Sequence, residues 1–311
     1  MRRTCLNKVH ELARRDPRVV FIGSDLGAGV LEEMKVEMPD RFFMEGVAEQ
    51  NLIGVAAGMA MEGFIPYVNT IATFITRRCF EQVAVDLCMH NLPVRLIGNG
   101  GGVVYAPLGP THQAIEDIAI MRTLPNMAVV VPADADEMTR FMDESLDWPG
   151  PVYIRLAKGG DPIVSRPMDG FEIGKAIMLR EPGAVQIIAT GIAVEKSLRA
   201  AEILELEGIQ CGVLNAHTVK PLDEEKIVEQ ALVAELVVTV EEHTLIGGLG
   251  SAVLEAISSN ISGLAPRVVR LGIPDAFAKE YGSQDTMLES FGLQPEGIAN
   301  SVRLALKNST A

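Results

Sequence analysis

The chain has 311 residues, 48% of them hydrophobic and 22% charged, with a net charge of −14 at pH 7. That length holds one large or two ordinary domains, and the composition supports packed cores and excludes a disordered chain. The acidic surplus, with no long basic run, argues against nucleic acid or an anionic membrane surface as a partner, and a phosphorylated ligand would need a local cation or a metal.

In chain order, "MRRTCLNKVHELARR" has the apolar spacing of an amphipathic helix and lacks the apolar core of a signal peptide. No run of about 18 apolar residues follows, so a soluble, cytoplasmic protein is expected. The four cysteines, Cys5, Cys79, Cys88 and Cys211, show neither CxxC spacing nor the density of a secreted scaffold, and read as reduced thiols. Buried strands are predicted at 19–26, 93–100, 127–133 and 151–157, with helices around 51–62, 74–90, 113–124 and 135–146. The stretch "KGGDPIVSRPMDGFEIG", rich in glycine and proline, reads as a linker. A second series follows, with strands at 184–191, 208–216, 235–243 and 266–272 and helices at 193–207, 223–234, 250–258 and 295–306. Alternation of this kind predicts an α/β chain of two domains, 1–168 and 169–311, the first a doubly wound parallel sheet and the second a smaller α/β unit.

Ligands of such sheets lie beyond the C-terminal strand ends, which directs attention to the loops after Leu26, Gly98, Leu156, Gly191 and His243. Glu49 stands at the mouth of a helix of small and apolar residues. It is either an ordinary first-turn acid or a carboxylate to which something is brought, because a buried unpaired charge is costly. Phe74 lies beside Arg77 and Arg78. Gly98, Gly100, Gly101 and Gly102 follow a strand end, where glycine permits close backbone approach to a ligand. They match neither GxGxxG nor a P-loop. Thr111 is placed to cap a helix beginning near Gln113, which puts His112 at a helix start, a setting that favours the neutral imidazole. His243 reads as part of a strand-end turn, and His10, His90 and His217 lack partners at informative spacing. No metal-ligand spacing is present.

Taken together, "GVAEQNLIGVAAGMA", "TFITRRCFEQ", "GPTHQAIEDIAIMRTLPNMAVVVPADADE", "GPVYIRLAKG" and "VVTVEEHTLIGGLGSAV" resemble the C-terminal half of transketolase, in the form split into two subunits. The resemblance spans nearly the whole chain and implies a pyrimidine-binding thiamine diphosphate domain followed by the transketolase C-terminal domain. It implies that Glu49 meets N1′ of the cofactor's aminopyrimidine, that Phe74 stacks on that ring, and that Asp25 lies near the cofactor at the subunit boundary. It implies that His112 faces the substrate carbonyl, that Lys158 contacts a substrate phosphate, and that Arg78 touches substrate or a cofactor loop. The "GDG…N" motif that holds Mg²⁺ and the diphosphate is missing. The resemblance therefore implies a separate N-terminal, diphosphate-binding subunit that carries the Mg²⁺ ligands, in a two-plus-two heterotetramer.

The sequence departs from ordinary transketolases in the substrate region. Gly100 stands for a histidine, Pro107 and Leu108 for an acidic pair, and the run Gly27, Ala28, Gly29 for a stretch with a phosphate-binding serine. Loss of these hydroxyl partners implies an atypical ketose donor, such as a deoxy or branched sugar. Three alternatives remain open: condensation of the 1-deoxyxylulose-phosphate-synthase type, the β subunit of a 2-oxo acid dehydrogenase, and a non-catalytic scaffold half.

Overall fold

A computed structural model describes residues 1–26, 29–278 and 281–308. In it the first sheet is built from β1 (Val19–Gly23), β2 (Phe42–Met44), β3 (Ile65–Ile71), β4 (Arg95–Asn99), β5 (Ala128–Val130) and β6 (Val152–Leu156). The second holds β7 (Ile177–Arg180), β8 (Val185–Ala189), β9 (Cys211–Asn215), β11 (Leu236–Thr244) and β12 (Arg267–Ile273). The remaining strand, β10 (Thr218–Lys220), returns to the first sheet and pairs antiparallel with β5, giving the order β10-β5-β6-β4-β3-β1-β2. The second sheet has the order β12-β11-β8-β9-β7 and is parallel except for β7 against β9. The α/β class expected from the alternation is what the chain adopts.

Strand residues alternate between faces, and here both faces are covered. Phe21, Tyr67, Ile97 and Ile154 pack with Leu6, Val9 and Leu12 of the Arg2–Arg15 helix and Phe141 of the Ala135–Ser145 helix. Their neighbours Ile22, Val68, Leu96 and Tyr153 pack with Leu52, Ile53 and Ala56 of the Glu49–Met61 helix. Ile188, Leu214 and Val237 of the second sheet belong to that same cluster. The two sheets therefore share a core, and parts of one can position parts of the other.

The structure changes several expectations. Strand β3, "IPYVNTI", escapes a periodicity reading because Pro66 and Asn69 interrupt its apolar pattern, as do the short β2, β7 and β10. The segment after Phe74 is helical but contains two π-helical stretches, Phe74–Arg78 and Val83–Cys88. The helix expected near Gln113 starts instead at Asp117, so Thr111 is not its cap and His112 is not at its N-terminus. The reason is that Ala114 is tied into a bridge: Ala114 and Gly102 exchange N–H···O bonds of 2.9 Å, and the His112 N–H bonds the Gly109 carbonyl at 3.0 Å, which holds residues 109–116 in a turn and loop.

Candidate active site

Glu49 is the first residue of its helix and is 1% exposed. Ala48 before it offers no side-chain cap, so the carboxylate depends on tertiary partners. One arrives from the π-helical stretch Phe74–Arg78: Arg78 Nη1 donates to Glu49 Oε2 at 2.6 Å, while the Arg78 side chain stays 45% exposed. The same guanidinium lies 4.7 Å from the Phe74 ring centroid. Isolated π turns occur disproportionately at functional sites. This one puts a cation on a buried acid and an aromatic ring beneath that cation. His112, brought in by the turn before Ala114, meets Phe74 edge to face at 5.2 Å and 67°. Its Nδ1 bonds Thr111 Oγ1 at 2.9 Å. Arg77 turns away, donating to Glu116 and, at 2.7 Å, to the Gln113 carbonyl, and so fastens the His112 loop.

The structure thus brings Glu49, Phe74, Arg78 and His112 together. Asp25, two residues past the end of β1, is exposed and accepts a 2.8 Å bond from Ser24 Oγ. Of the run Gly27, Ala28 and Gly29, the first two lie outside the described residues.

Gly100, Leu108 and Lys158 line a separate cavity of about 320 Å³. Arg2 and Tyr105, which sequence reasoning did not single out, line it too. Arg2 was hidden in a stretch read only as an amphipathic helix, with no motif to single it out. Among the described residues neither Arg2 nor Lys158 takes part in an ion pair, and no carboxylate lines this cavity.

The glycine run is explained differently from expectation. A Cβ on Gly98 would meet Tyr153 at 2.7 Å, one on Gly100 (φ +73°) would meet Tyr105 at 2.2 Å, one on Gly101 would meet Arg155 at 2.6 Å, and one on Gly102 (φ +66°) would meet Glu242 at 2.4 Å. Glycine is required here because the chain's own side chains approach closely. At Gly100 the space that a side chain would fill is taken by the Tyr105 ring.

Beneath this loop lies a buried polar cluster. Arg155 pairs with Asp117 at 2.8 Å, Tyr153 donates its hydroxyl to Asp117 at 2.7 Å, and Arg155 Nη2 also reaches the main-chain oxygens of Glu242 (2.8 Å) and Ala114 (3.2 Å). Glu241 and Glu242 are both buried, and burial pushes each carboxyl up to about 7. Glu241 accepts the Leu249 and Gly250 N–H groups at 2.7 and 2.8 Å, satisfying the start of the Leu249–Asn260 helix. His243 is fully buried, and burial lowers its pKa to about 4. Its Nδ1 bonds the Thr244 carbonyl at 2.7 Å and its Nε2 meets the Ala119 N–H at 3.2 Å, which assigns the neutral Nδ1–H tautomer. His243 ties β11 to the Asp117–Arg122 helix of the first domain. His217, likewise buried, stacks on Phe171 at 4.0 Å.

A buried acid and an aromatic ring joined through one half-exposed guanidinium, with a histidine at the ring's edge, can hold a flat nitrogen heterocycle. Residues 1–160 match the transketolase pyrimidine binding domain and residues 174–298 the transketolase C-terminal domain. The chain belongs to the transketolase family and is a subunit of the thiamine diphosphate-dependent kind. It is 39% identical to the 6-deoxy-6-sulfo-D-fructose transketolase subunit SqwH of Clostridium sp. (strain MSTE9), over 97% of this chain and 92% of that one. A putative transketolase C-terminal section from Methanocaldococcus jannaschii is 38% identical over 96% of this chain and 93% of its own length. Identity to the 1-deoxy-D-xylulose-5-phosphate synthase of Synechococcus sp. (strain JA-2-3B'a(2-13)) is 41%, but the match spans only 45% of that enzyme. Among solved structures, one described as a split gene transketolase, inactive beta4 tetramer, superposes with a TM-score of 0.90 at 39% identity, covering 98% of both chains. Among the described residues no helix is long and apolar enough to cross a membrane.

Proposed function

We propose that this chain is the pyrimidine-binding half of a two-subunit transketolase that moves a two-carbon ketol unit from a ketose to an aldehyde. The observation that carries the reading is the Glu49–Arg78–Phe74 stack. The guanidinium lies over the Phe74 ring while one of its nitrogens donates to a buried carboxylate, the two partners an aminopyrimidine would need. The residues present therefore fit the cofactor. Thiamine diphosphate, when bound, supplies the electron sink for breaking the carbon–carbon bond beside the donor carbonyl. Glu49 would hold a proton at the ring nitrogen it faces, Phe74 would fix the ring plane, and Arg78, half in solvent, would swing aside. His112 would hydrogen-bond the donor carbonyl and hold or move a proton there. Asp25 is proposed to flank the cofactor at the subunit boundary.

The two domains are taken to meet near residue 168, between β6 and β7, where the chain changes sheets. Among the described residues no group of three or more His, Cys, Asp or Glu side chains could hold a metal. Mg²⁺ and the diphosphate are accordingly assigned to an N-terminal partner subunit, in a two-plus-two heterotetramer. Gly54 and Gly58 lie on the open face of the Glu49 helix, where added side chains would meet nothing in this chain, leaving room for that partner.

For the donor, Arg2 and Lys158 suit a terminal phosphate or sulfonate, and the apolar Leu108 and the Tyr105-filled Gly100 suit a sugar with fewer hydroxyl contacts. The named substrate of the SqwH relative, 6-deoxy-6-sulfo-D-fructose, has that chemistry. The test is reconstitution with the diphosphate-binding subunit, followed by kcat/KM for 6-deoxy-6-sulfofructose, xylulose 5-phosphate and pyruvate. Ketol transfer with the deoxysulfo sugar preferred supports the reading. A preference for xylulose 5-phosphate removes the atypical donor, and turnover of pyruvate alone moves the chain to the synthase type. Glu49→Gln should lower ketol transfer by about 10²–10⁴-fold without unfolding the protein; full activity in that variant would leave Glu49 a helix-start acid.

A further inference from the structure

Among the described residues the second domain contributes none to the Glu49–Phe74–His112 cluster, yet one of its side chains reaches the 100–108 loop. Strand alternation sends Glu241 and Glu242 to opposite sides of β11. Glu241 remains within the second domain at the Leu249–Asn260 helix. Glu242 crosses to the first, where its Oε1 accepts the Val103 N–H at 2.9 Å. The same oxygen accepts Gln284 Nε2, also at 2.9 Å.

We propose that Glu242 is a positioning residue for donor recognition, setting the shape of the 100–108 loop from the second domain. The proposal rests on reading the Arg2–Lys158 cavity as the donor's.

Burying a carboxylate is expensive, and the cost is offset only by bonds that fill its lone pairs. The Arg155 guanidinium passes by the carboxylate and bonds the Glu242 main-chain oxygen instead. The carboxylate itself is thus held by two neutral donors, one from each domain. The sequence makes room for this contact: at Gly102 any Cβ would lie 2.4 Å from Glu242 Cδ. From Val103 the constraint runs both ways along the chain. The Ala106 N–H bonds the Val103 carbonyl at 2.9 Å, leading into the Ala106–Leu108 turn. Tyr105 and Leu108 there line the cavity, with Gly100 on the other side of Val103. Gly102 is paired in turn with Ala114, two residues beyond His112. Loss of the Glu242 bond therefore frees the cavity wall first, while Glu49 and Phe74, on other elements, stay in place.

The experiment compares Glu242→Ala and Glu242→Gln with wild type in the reconstituted two-subunit enzyme. The donor KM, kcat and thiamine diphosphate affinity are read together with amide hydrogen exchange over residues 100–108. In Glu242→Ala the donor KM should rise roughly tenfold, as expected for one lost bond to a charged acceptor, with cofactor affinity unchanged and exchange in the loop accelerated. Glu242→Gln, whose amide oxygen can accept the same two donors, should restore both. Gln284→Ala, which keeps the Val103 bond, should give a smaller change in KM and serves if Glu242→Ala does not fold. The proposal is overturned if Glu242→Ala loosens the loop without changing donor KM, if it changes only kcat or cofactor affinity, or if Glu242→Gln is as impaired as Glu242→Ala. Absence of ketol transfer in wild type would instead refute the proposed function, and the exchange comparison would still decide whether Glu242 holds the loop.

Discussion

If the Arg78 guanidinium occupies the place of the aminopyrimidine, removing it should tighten cofactor binding while loosening the empty protein. The perturbation is Arg78→Met, which keeps much of the side chain's length and loses the charge. The ion pair with Glu49 is short, at 2.6 Å, and one partner is 1% exposed, but the other is 45% exposed. At an effective dielectric near 20, unit charges 4 Å apart attract by about 4 kcal/mol. Solvent around the arginine cuts this toward the ~0.2–1 kcal/mol of exposed pairs, and an exposed cation–π contact adds ~0.5–1 kcal/mol. An incoming ring thus has on the order of 1–2 kcal/mol to displace, so Arg78→Met should bind thiamine diphosphate about 5–30-fold more tightly. In the cofactor-free variant Glu49 stays buried without its partner, at a cost of about 1–3 kcal/mol. Isothermal titration of the two-subunit complex measures the first effect and thermal unfolding without cofactor the second. Unchanged or weaker cofactor affinity would refute the reasoning and make Arg78 a binding group.

Other expectations follow from the same geometry. Arg2→Ala should raise the KM of phosphorylated or sulfonated donors by about tenfold, one charge-assisted bond, and leave an uncharged donor unaffected; equal effects on both in steady-state kinetics would remove Arg2 from donor recognition. Gly100→Ala places a Cβ 2.2 Å from Tyr105 at a φ of +73°, and should destabilise by about 1–3 kcal/mol in urea unfolding, part of it recovered on adding Tyr105→Ala. The Glu242 carboxyl, raised by burial from 4.5 to about 7, binds its proton more tightly folded than unfolded. Its contribution to stability is therefore full below pH 4.5 and lost as pH rises through 7. Wild type should lose up to about 3 kcal/mol relative to Glu242→Gln, which does not titrate there, between pH 5 and pH 8. Melting temperatures of the two proteins at both pH values measure this, and a constant difference would mean that burial does not perturb the group.

Much of this molecule is legible in the chain because its information is local. The alternation of β-branched runs with helical patterns fits only a layered α/β fold, since parallel strands buried on both faces read as continuous apolar runs. Glu49 was visible as an acid ahead of a small-residue helix, "TFITRR" as an aromatic beside two arginines, and His112 in "GPTHQ" as a histidine beyond a glycine run. What local pattern misread was context. Thr111 before His112 has the form of a helix cap, yet the bridge between Gly102 and Ala114 holds that segment in a turn and loop and delays the helix to Asp117. Glycines after a strand usually signal a ligand, and here they signal Tyr105, Arg155 and Glu242.

The sequence by itself determined the α/β class, the two alternating series of strands and helices and the kinds of chemistry available, because periodicity and residue type are properties of neighbours along the chain. Only the tertiary structure decided which acid is buried, which cation covers it, that Arg2 and Lys158 share one cavity, and that β10 returns to the first sheet. Those are contacts between residues far apart in sequence, settled by how the sheets stack and by which polar groups must find partners once water is excluded.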